Sequence, residues 1–139
     1  MLAVLALGTV GCGGGATAAT PTPPIDFSML AQNGSAVTGT GRIVKGADSF
    51  TITIKLTGLA PNSSHVSHLH AGSCTAPGGI AFALKQVIAD SGGAATIAST
   101  VPTSYVTPAS GWYVNVHHGP DFSAPANAPS DSCGDVPAA

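Results

Sequence analysis

Phe50-Thr51-Ile52-Thr53-Ile54-Lys55-Leu56-Thr57 alternates apolar and polar side chains without a break. A period of two puts Phe50, Ile52, Ile54 and Leu56 on one face of a strand, and the threonines and Lys55 on the other. With Ser49 ahead of it, this is the clearest strand in the chain, expected over residues 49–57. Turn chemistry bounds it. Residues 45–48, Lys-Gly-Ala-Asp, predict a hairpin turn back to a weaker strand over residues 37–44, which carries Gly39 and Gly41. Residues 58–64 predict a loop around Pro61 and Asn62. Further strands are expected at residues 66–70, 82–89, 94–101 and 112–117, with a turn at Asp90-Ser91-Gly92-Gly93. No segment sustains a helical period with caps. Six to eight short strands at this spacing predict an all-β fold, an antiparallel Greek-key barrel or sandwich of about eight strands.

Composition narrows the function classes. The chain has 139 residues, a one-domain length, and only 7% of them are charged, against roughly a quarter in an average soluble domain. The four basic residues are Arg42, Lys45, Lys55 and Lys85, and all six acids are Asp. Phosphate backbones need clusters of Lys and Arg, so nucleic acid is excluded as a partner. A coiled coil would need Glu and Lys along its seam. Charge-driven disorder is excluded too.

The N-terminus has its own chemistry. Residues 1–10 are almost wholly apolar. They are too few to span a bilayer, which takes about 20 residues, and they fit the apolar core of a secretory signal. Thr9-Val10-Gly11-Cys12 resembles the lipobox of bacterial lipoproteins, where the Cys becomes the lipidated first residue. Residues 1–12 are therefore expected to be a signal peptide with lipidation at Cys12; the alternative is an apolar first strand with a buried Cys12. Residues 13–24, rich in Gly, Thr and Pro, form a tether, and the folded domain spans residues 25–139. The expected location is extracytoplasmic, anchored by lipid in a bacterial periplasm or at the cell surface. Cys74 and Cys133 remain. In an exported domain they read as one disulfide, the alternative being two free buried thiols.

The five histidines fall in two clusters: His65, His68 and His70, then His117 and His118. On a strand, His68 and His70 share a face, so both imidazoles can converge on one ion. In the second strand Trp112, Val114 and Val116 share one face, and Tyr113, Asn115 and His117 the other. With the apolar face in the core, His117 is expected to point outward. A chain that avoids ionisable groups yet concentrates histidine predicts a metal site. Neutral imidazoles without thiolate or carboxylate suit copper best, zinc next and hard ions poorly. Asp131 and Asp135 are expected in solvent. Trp112 and Tyr113 are expected to pack.

These residues resemble the copper/zinc superoxide dismutase family over most of residues 37–136. The stretch Gly58-Leu59-Ala60-Pro61-Asn62-Ser63-Ser64-His65-Val66-Ser67-His68-Leu69-His70 is similar to that family's Gly-Leu-x-Pro-Gly-x-x-His-Gly-Phe-His-Val-His. Val116-His117-His118-Gly119-Pro120-Asp121 is similar to its Val-His-x-x-Pro-Asp, and Cys74 with Cys133-Gly134 matches its disulfide. The resemblance implies an eight-stranded Greek-key barrel, with His68, His70 and His117 as copper ligands and catalytic residues and His65 as a structural residue. Residues 75–86 have no His and no Asp, so the family's zinc site and its bridging ligand are missing. That implies a copper-only member holding one ion, without zinc, in which His65 or His118 would complete the copper sphere. Asp131 falls where the family places an Arg that steers superoxide, and an acid there repels an anion.

Tyr113-Val114-Asn115-Val116-His117 also resembles CHRD domains, which are β-rich binding or structural modules. Two function classes therefore stand side by side. One is an exported copper protein with superoxide dismutase chemistry, acting on superoxide or another small molecule. The other is a non-enzymatic copper-binding or buffering lipoprotein, or a CHRD-like module. A homodimer is compatible with either, and enzyme activity stays open. A zinc hydrolase built on three His ranks below both, because Asp121 is the only nearby candidate for a base.

Overall fold

The computed structural model describes residues 11–138. The apolar run expected to be the core of a signal peptide, residues 1–10, lies outside them. Residues 11–24 form no regular structure and are exposed, with Cys12 a free, exposed thiol.

The domain starts with β1 (Ile25–Ala31), β2 (Thr38–Lys45) and β3 (Phe50–Thr57). It continues through β4 (Ser64–His65), β5 (Ser67–Gly72), β6 (Pro77–Ala83), β7 (Val87–Ile88) and β8 (Ala95–Val101) to β9 (Trp112–His117) and β10 (Ser130–Val136). A 3-10 turn at Pro125–Asn127 is the one helical piece among the described residues. Eight strands form one antiparallel sheet in the order β6-β5-β9-β10-β1-β2-β3-β8, while β4 and β7 pair separately. The chain therefore leaves β3 to cross over to β5, and leaves β8 to cross over to β9. Such crossings separate a Greek key from a meander. Just after β6, Lys85 links β8 to β5 through its backbone. The Lys85 amide donates to Ser99 Oγ (2.9 Å), and Ser67 Oγ donates to the Lys85 carbonyl (2.9 Å). Two serine side chains thus take over pairing that a continuous ladder would have supplied.

β3 behaves as its period of two predicts. Phe50, Ile52, Ile54 and Leu56 are each 2% exposed or less, while Thr51, Thr53, Lys55 and Thr57 are at least partly open. They join Phe27, Met29, Ile43, Leu69, Val114, Val116 and Val136 in one core. Burial of each large aliphatic side chain contributes about 1.5–3 kcal/mol. Phe50 closes one end of the barrel, stacked on Trp112 at 5.4 Å and edge-on to Tyr105 at 5.2 Å.

One expectation needs correction, and β10 and most of β6 were not expected at all. The strand expected over 82–89 resolves into the end of β6, the link at Lys85 and β7, because Lys85 has its backbone bound to serine side chains instead of a strand. β6 starts at Pro77, ahead of the strand expected from residue 82. Gly78 lies so close to β5 that an added Cβ would sit 2.3 Å from the Ala71 carbonyl oxygen. β10 shows no apolar alternation because Ser132 and Gly134 precede Val136 on its inward face, and a Cβ on Gly134 would meet Met29 Sδ at 2.6 Å.

Candidate metal centre

β5 and β9 lie side by side, with His68 opposite Asn115 and His70 opposite Tyr113. Opposed residues in an antiparallel pair share a face. Leu69, Val114 and Val116 therefore enter the core, and His68, His70, Tyr113, Asn115 and His117 stand on the outer wall. On an ordinary barrel strand that outer face would meet water. Here all six residues of β9 are buried, because the segment after β9 folds back over it. The Phe122 ring lies parallel to His68 at 5.7 Å and edge-on to His117 at 4.9 Å. His117 leaves the barrel wall outward, as its parity predicts, yet it is only 8% exposed.

His68, His70 and His117 each bring one nitrogen to a common place, all within 4.8 Å of one another. Hydrogen bonds fix two of the rings. His70 Nδ1 donates to the Gly78 carbonyl at 3.1 Å, and His117 Nδ1 donates to the Ala128 carbonyl at 2.7 Å. A carbonyl only accepts, so Nδ1 carries the proton in both rings and Nε2 keeps its lone pair. Metal-binding histidines are oriented by such bonds. His68 Nδ1 and His70 Nε2 are buried with no hydrogen-bond partner. Tyr113 stacks on His70 at 4.8 Å.

The electrostatics keep His68 and His70 neutral. Burial, then the neighbouring His117 and His70, push the His68 pKa down to about 4. His70 is also lowered, chiefly by burial, with the Gly78 bond acting in the opposite sense. A neutral imidazole is the form that binds a metal. Ligand bonds of about 2 Å place tetrahedral donors about 3.3 Å apart, so the three rings would have to draw together by roughly an ångström.

His65 and His118 lie outside this group. His65 is 3% exposed; its Nδ1 donates to the His117 carbonyl at 2.9 Å, and its Nε2 is bound to Ser63 Oγ at 2.7 Å. His118 turns away, its Nδ1 3.0 Å from Asp131 Oδ1. Asp131, expected in solvent, is 8% exposed beneath His118. Asp135 is exposed and accepts the Cys74 amide at 2.7 Å. Cys74 and Cys133 form a disulfide, tying the loop after β5 to the outer face of β10, where Cys133 lies opposite Asn115. Sequence reading missed Asn115 and Phe122 as neighbours of the site. The parity that placed His117 also places Asn115, whereas nothing local predicts that Phe122 folds back.

None of the chain's four cations appears in these contacts. Arg42 is bound to Asp26 at 2.6 Å on the outer wall of β1 and β2, and Lys45 lies over the Tyr105 ring at 5.5 Å.

No protein-family model and no curated protein matches this sequence. Among solved structures, the chain is similar to a SOD-like (superoxide dismutase-like) protein from Bacillus subtilis. The TM-score is 0.65 and the identity 16%, over 81% of this chain and 97% of that one. At that identity the likeness speaks for architecture alone: the chain has a superoxide dismutase-like fold.

Proposed function

We propose that this is an exported, lipid-anchored protein that binds one copper ion through His68, His70 and His117. One observation carries the reading: His68, His70 and His117 converge within 4.8 Å of one another, and His68 Nδ1 and His70 Nε2 are buried without any partner. Leaving a buried polar atom unpaired costs about 1–3 kcal/mol. An ion that accepts both lone pairs removes that cost. Three neutral imidazoles without thiolate or carboxylate favour copper over zinc and over hard ions. The Cys74–Cys133 disulfide fits an oxidising compartment, and among the described residues no helix is long and apolar enough to cross a membrane.

When bound, copper supplies a one-electron couple. The chain holds His68 and His70 neutral, orients His70 and His117 through Gly78 and Ala128, and covers the site with Phe122. It provides no cation to draw in an anion, and Asp131 sits beneath His118. Binding or buffering of copper is therefore the first reading. Superoxide dismutation is the second, favoured by the superoxide dismutase-like fold.

Metal analysis and electron paramagnetic resonance of the purified, copper-loaded chain test both. One copper per chain with nitrogen hyperfine structure, lost in His68→Ala and His117→Ala, supports the site. Rapid superoxide decay by that sample selects the dismutase. Copper without decay selects binding. A chain that takes up no copper sinks both and leaves a CHRD-like module.

A further inference from the structure

Asn115 is a polar side chain on the outer wall between the two histidine strands, opposite His68 in register and 9% exposed. Its amide reaches both ways. Nδ2 lies 3.2 Å from His117 Nε2, and Oδ1 accepts from Ser130 Oγ. The orientation follows from the network. His117 Nδ1 donates to Ala128, so His117 Nε2 holds a lone pair and must face a donor, which is Nδ2. Once that lone pair is given to an ion, Nδ2 loses its acceptor and faces a cation. A half-turn of the amide removes the conflict by bringing Oδ1 to the metal side and Nδ2 to Ser130. Ser130 can accept that bond, because the Ser132 carbonyl lies 3.2 Å from Ser130 Oγ as an alternative acceptor for its proton. Asn115, Ser130 and the His117 lone pair each keep a partner in both states.

We infer that the Asn115 side-chain oxygen is the fourth ligand of the metal bound by His68, His70 and His117. This inference rests on the copper reading above. The spacing supports it: two donors on one ion at bonds of about 2 Å lie about 3.3 Å apart, and the Asn115 amide is already 3.2 Å from His117 Nε2. The alternatives are engaged elsewhere, His65 with Ser63 and the His117 carbonyl, and His118 with Asp131. An amide oxygen adds no charge, so the centre keeps the full positive charge of its ion.

The test compares the full chain with Asn115→Leu, which preserves volume and removes the donor. Copper affinity is read by competition with a chelator, and azide binding to the Cu(II) form by optical titration. A fourth ligand predicts at least a tenfold loss of copper affinity in the variant. It also predicts tighter azide binding, because a coordination position has opened. Unchanged copper affinity overturns the proposal. So does weaker azide binding, which would make Asn115 a hydrogen-bond donor to the bound anion. If the variant fails to fold, the wild-type chain titrated with Zn(II) decides. The Asn115 side-chain carbonyl carbon, followed by nuclear magnetic resonance, shifts on loading if Oδ1 coordinates and stays put if it does not. Failure of the wild type to bind copper or zinc overturns the histidine site as well; binding without a response at Asn115 overturns only this inference.

Discussion

His68 gives up its proton far more readily than a free imidazole, and that has a sign that can be measured in the metal-free protein. Its folded pKa is about 4 against an ordinary value of 6.5. Between those values the unfolded chain binds a proton that the folded chain refuses, so stability rises with pH across that window and falls on acidification. The urea midpoint of chelator-treated protein is expected to drop from pH 7 to pH 4.5, and the drop should be shallower in His68→Gln. An identical slope in the variant would remove His68 as its source. His65 makes a different expectation. Buried and bound to both Ser63 and the His117 carbonyl, it acts on the site through position. His65→Ala should cost about 2–4 kcal/mol in urea unfolding, from lost hydrogen bonds and an emptied volume. It should keep one copper and the same nitrogen hyperfine pattern; loss of a nitrogen would make His65 a ligand. At this scale the side of the strand on which His68, His70 and His117 stand was legible, because parity is local. The burial of His117 and Asp131 was not, because it depends on residues 118–129 folding back.

Strand β2 looked weak in sequence because two glycines interrupt it, and their packing reverses that impression. Gly39, Gly41 and Ile43 share a parity, and Ile43 is fully buried. The ring of Phe27, from neighbouring β1, fills the place a side chain on Gly41 would take: a Cβ there would lie 2.0 Å from the ring. The glycine is thus the counterpart of the phenylalanine across the β1–β2 pair. Gly41→Ala should destabilise by about 1–3 kcal/mol, the usual cost of overpacking. Gly79→Ala on β6, with nothing within 4 Å, should stay within about 0.5 kcal/mol. Thermal or urea unfolding of the pair checks this, and equal costs would contradict the packing. The same contrast explains what was legible among the elements. β3 and β9 put large apolar residues on the inner face, so the period of two shows. β10 puts Ser132 and Gly134 ahead of Val136 on its inner face, and β6 uses Gly78 to approach β5. Where two backbones or a backbone and a large side chain come close, small residues replace the apolar half of the pattern.

Across the whole molecule, the histidines run along the strands: His70 lies opposite Tyr113, beside the end where the tether enters, and His117 closes β9 at the other end. Ile25, where the tether enters, pairs near the end of β2, the same end at which Val136 pairs with Trp112. His117 lies five residues further along β9, about 17 Å at strand rise. The disulfide spans the remaining long-range junction. Cys74 follows β5 and Cys133 lies within β10, two strands that the sheet separates by β9. With 59 residues between its ends, the closed loop implies up to about 4 kcal/mol by chain entropy. The effect should reach the metal. The loop that starts at Cys74 leads directly to Gly78, whose carbonyl orients His70, and Cys133 lies beside Asn115 in register. The double variant Cys74→Ser, Cys133→Ser is therefore expected to lower the urea midpoint of the metal-free protein. It should also weaken copper by roughly ten- to a hundredfold, the range seen when groups that orient ligands are lost. The two effects are separable. A midpoint that falls while copper affinity holds would mean that the barrel alone positions the three rings, and that the bridge matters only for folding. A loss in both would make the disulfide part of the metal centre, so that a reducing compartment would release the ion as well as loosen the fold.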